Sequence, residues 1–306
     1  MDDDLERSLT QPAVSLLAPT YRGRFAPSPT GPLHFGSLVA AVGSYLEAKS
    51  HSGKWLVRIE NLDRSRETPD ASKEILNTLE ALGMEWDGEV VYQNRRDNAY
   101  QFALDLLEKR GLIYRCNCSR KEIADSSIMG IDGPIYSGTC RGGSPSEEHP
   151  RAWRVRTDNH LIEFKDALRG VIRQRLESNI GDFILRRADG IFAYQLAVVV
   201  DDTEQGITHV VRGEDLLNST PRQIYLQRLL GYPTPAYMHL PVVVNARGEK
   251  LSKQTRAAPV DISDPVSQLM LAIRFLGQAP PVELTESDLT SFWKWATKNW
   301  KAEMIR

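Results

Sequence analysis

The three cysteines of this chain are its first candidates for chemistry, because all of them lie in the segment "CNCSRKEIADSSIMGIDGPIYSGTC". Cys116 and Cys118 are separated by one residue, and Cys140 ends the segment. An odd number of clustered cysteines favours a metal site over a disulfide framework. A closed zinc site usually has four ligands, and the nearest histidine, His149, is the default fourth ligand on chemistry alone. The cluster predicts a structural Zn²⁺ site, with three free cysteines packed in a core as the alternative.

Two further patterns are suited to binding a nucleotide. The segment "RFAPSPTGPLHFGSL", which begins at Arg24, reads as a strand, a Pro/Gly turn and a helix N-terminus. Backbone N–H groups at that terminus favour a phosphate, Gly36 would let a flat nucleotide lie against the backbone, and His34 can donate to charge developing on phosphorus. The segment "KLSKQ" begins at Lys250 and contains Lys253, so two ammonium groups could face a triphosphate. Taken singly, the patterns are more typical of a helix cap and a solvated loop.

From Tyr21 onwards, the sequence predicts an alternation of strands and helices, and these would hold the candidate residues in place. Short apolar strands such as "KWLVRIE" alternate with amphipathic helices such as "RDNAYQFALDLLEKRG". This alternation predicts a parallel sheet built from βαβ units. It is interrupted at 111–178, where the cysteine cluster and several short strands indicate an insertion.

Composition excludes several classes of protein. The chain has 306 residues, of which 41% are hydrophobic and 25% charged, as in an ordinary globular protein of about two domains. The formal net charge of −2 argues against a generally basic nucleic-acid-binding protein. The longest aliphatic runs are far shorter than a membrane span, and the acidic start "MDDDLERSLTQ" does not resemble a secretory signal. We expect a cytoplasmic protein that does not contact a membrane.

Four blocks carry a resemblance to a known family. They are "RFAPSPTG.LH.G", "RIE..D..R", "YQLAVVVDD...GITHVVRGEDLL.ST.RQ" and "HLPVVVN..G.KLSK". In order and spacing, they resemble the catalytic core of the glutamyl-tRNA synthetases, which are class I aminoacyl-tRNA synthetases. The resemblance runs from about residue 21 to 254. It implies an α/β fold with a Rossmann-like parallel sheet that is split by a zinc-containing insertion, followed by a short helical region and no anticodon-binding domain.

The resemblance also implies a domain organisation. The expected segments are a flexible extension (1–20), the first half of the catalytic domain (21–110), the insertion with a zinc knuckle (111–178), the second half of the catalytic domain (179–245), and the lysine loop with a short helical C-terminal region (246–306).

Site residues follow from the same resemblance. His34 and Lys253 are expected to be catalytic, by offsetting charge on the α-phosphate. The residues expected to bind ATP, with its Mg²⁺, are His34, Gly36, Ser37, Lys250, Ser252 and Lys253. Those expected to bind L-glutamate are Arg24, Ala26, Ser28, Glu60, Tyr194 and Arg212. Ser37 stands where the usual class I motif has a second histidine, which puts more weight on His34. For isolated residues of these types, structural ion pairs would be the ordinary interpretation.

The expected activity is the tRNA-independent formation of glutamyl-adenylate from L-glutamate and ATP. Stand-alone members of the family, which this chain resembles in its length, transfer the glutamyl group to the cyclopentenediol ring of queuosine at the wobble position of tRNA(Asp). The anticodon arm of that tRNA would then be the partner of a monomeric enzyme. Candidate phosphate contacts are Arg169, Arg173, Arg175 and the segment "KWATKNWK". The alternatives are a truncated synthetase that charges a tRNA 3′ end and a non-catalytic regulator that binds an amino acid or RNA.

For the metal site, the resemblance changes the choice of fourth ligand. Tyr136 lies four residues before Cys140, and the stand-alone members carry a tyrosine ligand at that spacing. We therefore favour Cys116, Cys118, Tyr136 and Cys140 as the zinc ligands over a set that contains His149. A phenol is a reluctant ligand because its ordinary pKa is about 10.

Overall fold

The structure is a computed structural model, and it describes residues 20–143, 152–244, 248 and 258–306. The α-helices, in chain order, are α1 (Phe35–Ser50), α2 (Ala71–Ala81), α3 (Asp97–Lys109), α4 (Arg120–Ser126), α5 (Leu176–Asn179), α6 (Tyr194–Glu204), α7 (Thr220–Leu230), α8 (Pro265–Phe275) and α9 (Leu289–Asn299). The β-strands, in chain order, are β1 (Arg22–Phe25), β2 (Lys54–Ile59), β3 (Val91–Tyr92), β4 (Ile113–Cys116), β5 (Met129–Gly130), β6 (Gly133–Pro134), β7 (Ala152–Val155), β8 (Leu161–Asp166), β9 (Gly170–Arg175), β10 (Ile184–Arg186), β11 (His209–Gly213) and β12 (Ala236–Leu240).

Two parallel sets of strands meet at the centre of the fold. Strands β1, β2 and β3 pair in parallel in that order, and β11, β12 and β8 do the same, with β9 antiparallel at the outer edge of β8. Strand β1 lies against β11, and just before β11 the backbone N–H of Thr208 donates to the carbonyl of Arg22 at 3.0 Å. The expected α/β fold with a parallel sheet is confirmed. Its carboxyl edge, where β1 and β11 adjoin, is where open sheets of this kind bind ligands.

Helix α1 is the connection between β1 and β2, and it is buried on most of its circumference. Leu38, Val42 and Leu46 are fully buried between the sheet and the C-terminal helices. Gly43 allows close packing at this point, since a Cβ there would lie 2.5 Å from the Leu240 side chain on β12. The helix N-terminus is therefore held rigidly beside the end of β1.

The segment 111–178 contributes to two separate structures. Strand β7 pairs antiparallel with both β4 and β10, and β5 with β6 forms a small hairpin. Strand β8, in contrast, pairs in parallel with β12 through Asp166 and Tyr237, so it continues the central sheet. The cysteine cluster lies within the first of these structures, at the end of β4.

The helices after residue 258 pack against the first half of the sheet. Helices α8 and α9 contact α1 and share its apolar core. The indole of Trp293 donates to the carbonyl of Leu82 at 2.8 Å, and the indole of Trp300 donates to the Glu47 carboxylate at 2.5 Å. Within the described ranges, no helix has both the length and the apolar character needed to cross a membrane.

Candidate active site and metal centre

Arg24 on β1 lies in a buried ion network at the centre of the sheet. Its Nε donates to Asp202 Oδ1 at 3.1 Å, and Arg58 Nη2 on β2 donates to the same oxygen at 2.7 Å. All three side chains are less than a tenth exposed. One carboxylate therefore serves two guanidinium groups, and Arg58 also lies 3.7 Å from the carboxylates of Asp201 and Glu60. Because burial makes an unpaired charge costly, the network also holds Arg24 in place.

Glu60 follows β2 directly and is the carboxylate nearest to this network that lacks a strong partner. Its backbone N–H donates to the carbonyl of Pro27 at 2.9 Å, which ties it to the turn that contains Ala26 and Ser28. Its Oε1 is 3.7 Å from Arg58 Nη2 and accepts no hydrogen bond from the described residues. Burial raises the pKa of Glu60 to about 7, against the lowering effect of the Arg58 guanidinium.

Arg212 on β11 is held by several acceptors. Its Nη1 donates to the Tyr194 hydroxyl at 3.2 Å, and its Nη2 donates to Thr220 Oγ1 at 2.8 Å. Tyr194 is the first residue of α6. Burial raises the pKa of Tyr194, while the charges of Arg212 and Arg24 lower it and that of Glu60 raises it. Tyr194 therefore bonds Arg212 directly, and the charges of Arg24 and Glu60 also act on its hydroxyl.

His34 and Ser37 form a reciprocal cap at the start of α1. The backbone N–H of Ser37 donates to His34 Nδ1 at 3.3 Å, and the backbone N–H of His34 donates to Ser37 Oγ at 2.8 Å. This capping box fixes the imidazole at the helix N-terminus. Gly36 is the second residue of the same helix. The serine in place of a second histidine therefore has a structural role, because it holds the remaining histidine in position.

The residues Lys250, Ser252 and Lys253 of the "KLSKQ" segment, which are predicted to bind ATP, lie outside the described residues, as does His149. The chain that follows the segment is described and returns to His34. Pro259 forms an antiparallel bridge with His34, and the Val260 N–H donates to the carbonyl of Leu33 at 2.8 Å.

Several residues that contact the site have no predicted role in the sequence analysis. They are Arg58, Asp201, Asp202, Asp166 and His239. Two of them are the adjacent aspartates that end the apolar run "LAVVVDD", and carboxylates on a buried helix require cationic partners. Asp201 satisfies this requirement with Arg96 at 2.6 Å. The sequence therefore indicates that these aspartates need cationic partners, but it does not identify which arginines fill that role.

The three cysteines and Tyr136 converge on one point. The three sulfur atoms lie within 4.8 Å of one another. Cys118 Sγ is 3.6 Å from Cys140 Sγ, and the Tyr136 hydroxyl oxygen is 3.3 Å from Cys116 Sγ and 3.4 Å from Cys118 Sγ. A tetrahedral zinc ion requires about 3.8 Å between two sulfurs and about 3.5 Å between sulfur and oxygen, from its usual bond lengths. The four atoms can therefore hold a metal ion.

Local packing fixes Tyr136 in this cluster. Its backbone forms a parallel bridge with Gly181, where a Cβ would lie 2.8 Å from the Tyr136 carbonyl oxygen. The guanidinium of Arg154 lies 4.0 Å from the centre of the phenol ring. The backbone N–H of Cys140 donates to the phenol oxygen at 2.9 Å. Burial raises the pKa of Tyr136, so loss of its proton would need a bound cation.

The parallel sheet carries buried arginines and carboxylates at its centre, and comparison with protein families identifies it as a class I synthetase catalytic domain. The family described as "tRNA synthetases class I (E and Q), catalytic domain" matches residues 20–268. The glutamyl-Q tRNA(Asp) synthetase of Dechloromonas aromatica (strain RCB) is 58% identical over 287 residues, which are 93% of this chain and 95% of that protein. The chain belongs to the glutamyl-Q tRNA(Asp) synthetase family, and the resemblance seen in the four sequence blocks is confirmed.

Other similar proteins agree with this assignment. The glutamyl-Q tRNA(Asp) synthetase of Chromobacterium violaceum is 54% identical over 285 residues, which are 93% of this chain and 95% of that protein. The crystal structure of a glutamate tRNA ligase from Elizabethkingia meningosepticum CCUG26117, in complex with its amino acid, has a TM-score of 0.78 and 24% identity. That likeness, which concerns the fold alone, covers 94% of this chain and 66% of the ligase.

Proposed function

We propose that this protein activates L-glutamate with ATP and transfers the glutamyl group to queuosine at the wobble position of tRNA(Asp). The observation that carries the proposal is the convergence of Arg24, Arg212 and Glu60 around Tyr194. Two guanidinium groups match the two carboxylates of glutamate, and one carboxylate matches its ammonium group. Arg24 and Arg212 are buried and the Glu60 side chain is only 10% exposed, so charge pairing there discriminates strongly against other amino acids.

In the proposed first step, the α-carboxylate of glutamate attacks the α-phosphorus of ATP. A new O–P bond forms as the bond to the β-phosphate breaks, which releases pyrophosphate. No protein nucleophile is required, so the enzyme contributes positioning and charge stabilisation. His34 at the N-terminus of α1 and Lys253 would offset the charge on the α-phosphate, with Mg²⁺ accompanying the ATP. Gly36 would accommodate the nucleotide, and Ser37, Lys250 and Ser252 would line the same phosphate site.

In the proposed second step, a hydroxyl of the queuosine cyclopentenediol attacks the activated carbonyl carbon and releases AMP. The anticodon arm would need cationic surface for its phosphates. Arg173 and Arg175 project from the outer strand β9, and Arg173 is 60% exposed beside Glu163. Arg169 is paired with Glu214 at 2.6 Å, so an RNA phosphate would have to compete with that carboxylate.

Labelled glutamate distinguishes this function from its main alternative. Incubation with ATP and queuosine-containing tRNA(Asp) should label the RNA even after enzymatic removal of its 3′-terminal adenosine, and the labelling should require queuosine. Mass spectrometry of nuclease digests should find the glutamyl group on that one nucleotide. Charging of the 3′ end of tRNA(Glu) would instead support a truncated synthetase, and absence of glutamyl-adenylate would support a non-catalytic binding protein.

The elevated pKa of Glu60 predicts a pH dependence of glutamate binding. A glutamate ammonium group needs the ionised carboxylate, and the pKa of about 7 means that Glu60 is protonated at lower pH. The KM for glutamate in pyrophosphate exchange should therefore fall as pH rises to about 7 and then level off. Below that pH it should rise by about tenfold per unit, because one proton must be released for each glutamate bound.

Two variants test this assignment. Glu60→Gln cannot ionise, so its KM should be high and nearly independent of pH between about 5.5 and 8. Glu108→Gln, at an exposed position on α3, should keep the pH profile of the unmodified protein. If the Glu60→Gln profile still rises below about pH 7 as the wild-type profile does, another group is responsible.

We further propose that the cysteine cluster holds a structural Zn²⁺ ion through Cys116, Cys118, Cys140 and the phenolate of Tyr136. The distances given above fit a tetrahedral ion, and the adjacent Arg154 guanidinium would favour the phenolate. Bound zinc would fix the loop between β4 and β7 on the small antiparallel sheet. It would have no part in the bond-making steps.

Tyr136→Phe should weaken zinc binding by at least about 10–100-fold, since loss of even an indirect partner of a metal ligand has an effect of that size. Zinc per chain after dialysis against a weak chelator would measure this. Tyr114→Phe is the matched control, because Tyr114 is a buried phenol of the same cluster that bonds Asp182 at 2.5 Å instead. Zinc retained by Tyr136→Phe but lost from His149→Ala would assign the fourth position to His149.

A further inference from the structure

Arg212 is hydrogen-bonded to a buried Asp–His pair on the side of the central sheet that is formed by β12 and β8. His239 on β12 and Asp166 at the end of β8 are both fully buried. Asp166 Oδ2 is 2.6 Å from His239 Nδ1, and Arg212 Nε is 3.1 Å from His239 Nε2. The three side chains therefore form a continuous line from the sheet interior to the site.

Asp166 and Arg212 determine the tautomer of His239, because its third neighbour, the Thr220 hydroxyl 3.1 Å from Nε2, can either donate or accept. A carboxylate can only accept a hydrogen bond, so the proton must be on Nδ1. A guanidinium can only donate, so Nε2 must be unprotonated. Burial lowers the pKa of His239, which agrees with a neutral ring.

This tautomer completes the set of acceptors around Arg212. Within the described residues, four of its five N–H groups have acceptors, provided by His239, Tyr194, Thr220 and the carbonyl of Leu216. The fifth N–H, on Nη1 beside the Tyr194 hydroxyl, is left for a ligand. A rotated guanidinium would lose several of these bonds at once, so the acceptors select a single orientation.

We propose that Asp166 and His239 are positioning residues that aim Arg212 at a carboxylate of glutamate. The proposal rests on the function proposed above. Neither residue needs to contact a substrate, since their effect passes through the guanidinium.

Asp166→Asn is an informative test because backbone hydrogen bonds fix the orientation of the new side-chain amide. Asp166 Oδ1 accepts the backbone N–H groups of Leu168 at 3.0 Å, Arg169 at 2.9 Å and His239 at 3.4 Å. The amide oxygen must therefore stay on that side, and the NH₂ group must face His239 Nδ1. Nδ1 would become an acceptor, the proton would move to Nε2, and Nε2–H would oppose the Nε–H of Arg212. An Asp-to-Asn change next to a histidine is known to impose the wrong tautomer in this way.

The experiment measures pyrophosphate exchange, thermal stability and histidine ¹⁵N shifts of the full chain. For Asp166→Asn we expect the KM for glutamate to rise by about tenfold to a hundredfold, because a buried donor loses its acceptor. The KM for ATP should be unchanged, and the ¹⁵N spectrum should show the His239 proton moved from Nδ1 to Nε2. A merely structural role would lower Tm and raise both KM values together, and that result would overturn the proposal.

A second pair of variants covers the case in which Asp166→Asn does not fold. His239→Gln can place a carbonyl oxygen near the Nε2 position and should keep most of the glutamate affinity, whereas His239→Leu cannot and should lose it. Equal KM values for glutamate in the two variants would refute the positioning role. If the unmodified protein shows no glutamate-dependent exchange, the proposed function is refuted. If the unmodified protein is active and Asp166→Asn has an unchanged KM for glutamate, only the positioning role is refuted.

Discussion

Replacing Lys253 by Ala should slow glutamate-dependent exchange of pyrophosphate into ATP by about 10²–10³-fold. The reason is that a preorganised charge facing the α-phosphate stabilises the transition state, and loss of one such contact typically slows a reaction by about 10²–10³-fold. Pro259 bridges His34 at the start of α1.

The control removes a positive charge elsewhere. Lys109→Ala, at the exposed end of α3, should leave the exchange rate within about twofold of wild type, because screening by salt suppresses the effect of remote surface charges. Both variants should bind glutamate with unchanged affinity in a direct binding assay without ATP. An exchange rate in Lys253→Ala equal to that of the Lys109 variant would remove Lys253 from the catalytic assignment.

Replacing Asp202 by Ala should reduce the free energy of unfolding by about 3–5 kcal/mol, since it leaves buried guanidinium groups without their shared counter-ion. Arg24 and Arg58 are 3% and 0% exposed and both donate to Asp202. Urea denaturation followed by tryptophan fluorescence would measure the loss. Asp202→Asn should be milder, because an amide oxygen in the Oδ1 position can still accept both of these hydrogen bonds.

The chain contains a matched control for this ion pair. Arg173 and Glu163 lie 2.6 Å apart, almost the same distance as the 2.7 Å between Arg58 and Asp202, but their side chains are 60% and 51% exposed. Glu163→Ala should therefore change the free energy of unfolding by less than about 1 kcal/mol. Similar losses in the Glu163 and Asp202 variants would show that burial does not set the strength of the Asp202 network.

Much of the local structure was predictable from the amino-acid pattern. The alternation of apolar strands with amphipathic helices predicted the α/β class, and the short helical region expected within 246–306 contains α8 and α9. Such elements are short-range features, since hydrophobic periodicity and capping residues determine them within a few turns. The position of Pro, Gly and His at the start of α1 likewise predicted a helix N-terminus.

Assembly of the site depended on contacts between distant parts of the chain. Arg24 meets Asp202 across 178 positions of sequence, and His239 meets Asp166 across 73. No periodic pattern encodes such pairs, because they depend on which strands become neighbours in the sheet. Strand β8, expected in the insertion segment, pairs with β12 of the central sheet, and that pairing brings Asp166 to His239.

The amino-acid pattern identifies the family, through four ordered blocks of residues, and it predicts the grouping of the three cysteines, through their close spacing. How these parts act together depends on contacts that form in the folded protein. The tertiary structure placed the Tyr136 hydroxyl against two of the sulfurs, joined Arg24 and Arg58 through one aspartate, and set the tautomer that orients Arg212. The physical reason is that burial makes every polar group depend on a specific partner, and the fold rather than the local sequence supplies that partner.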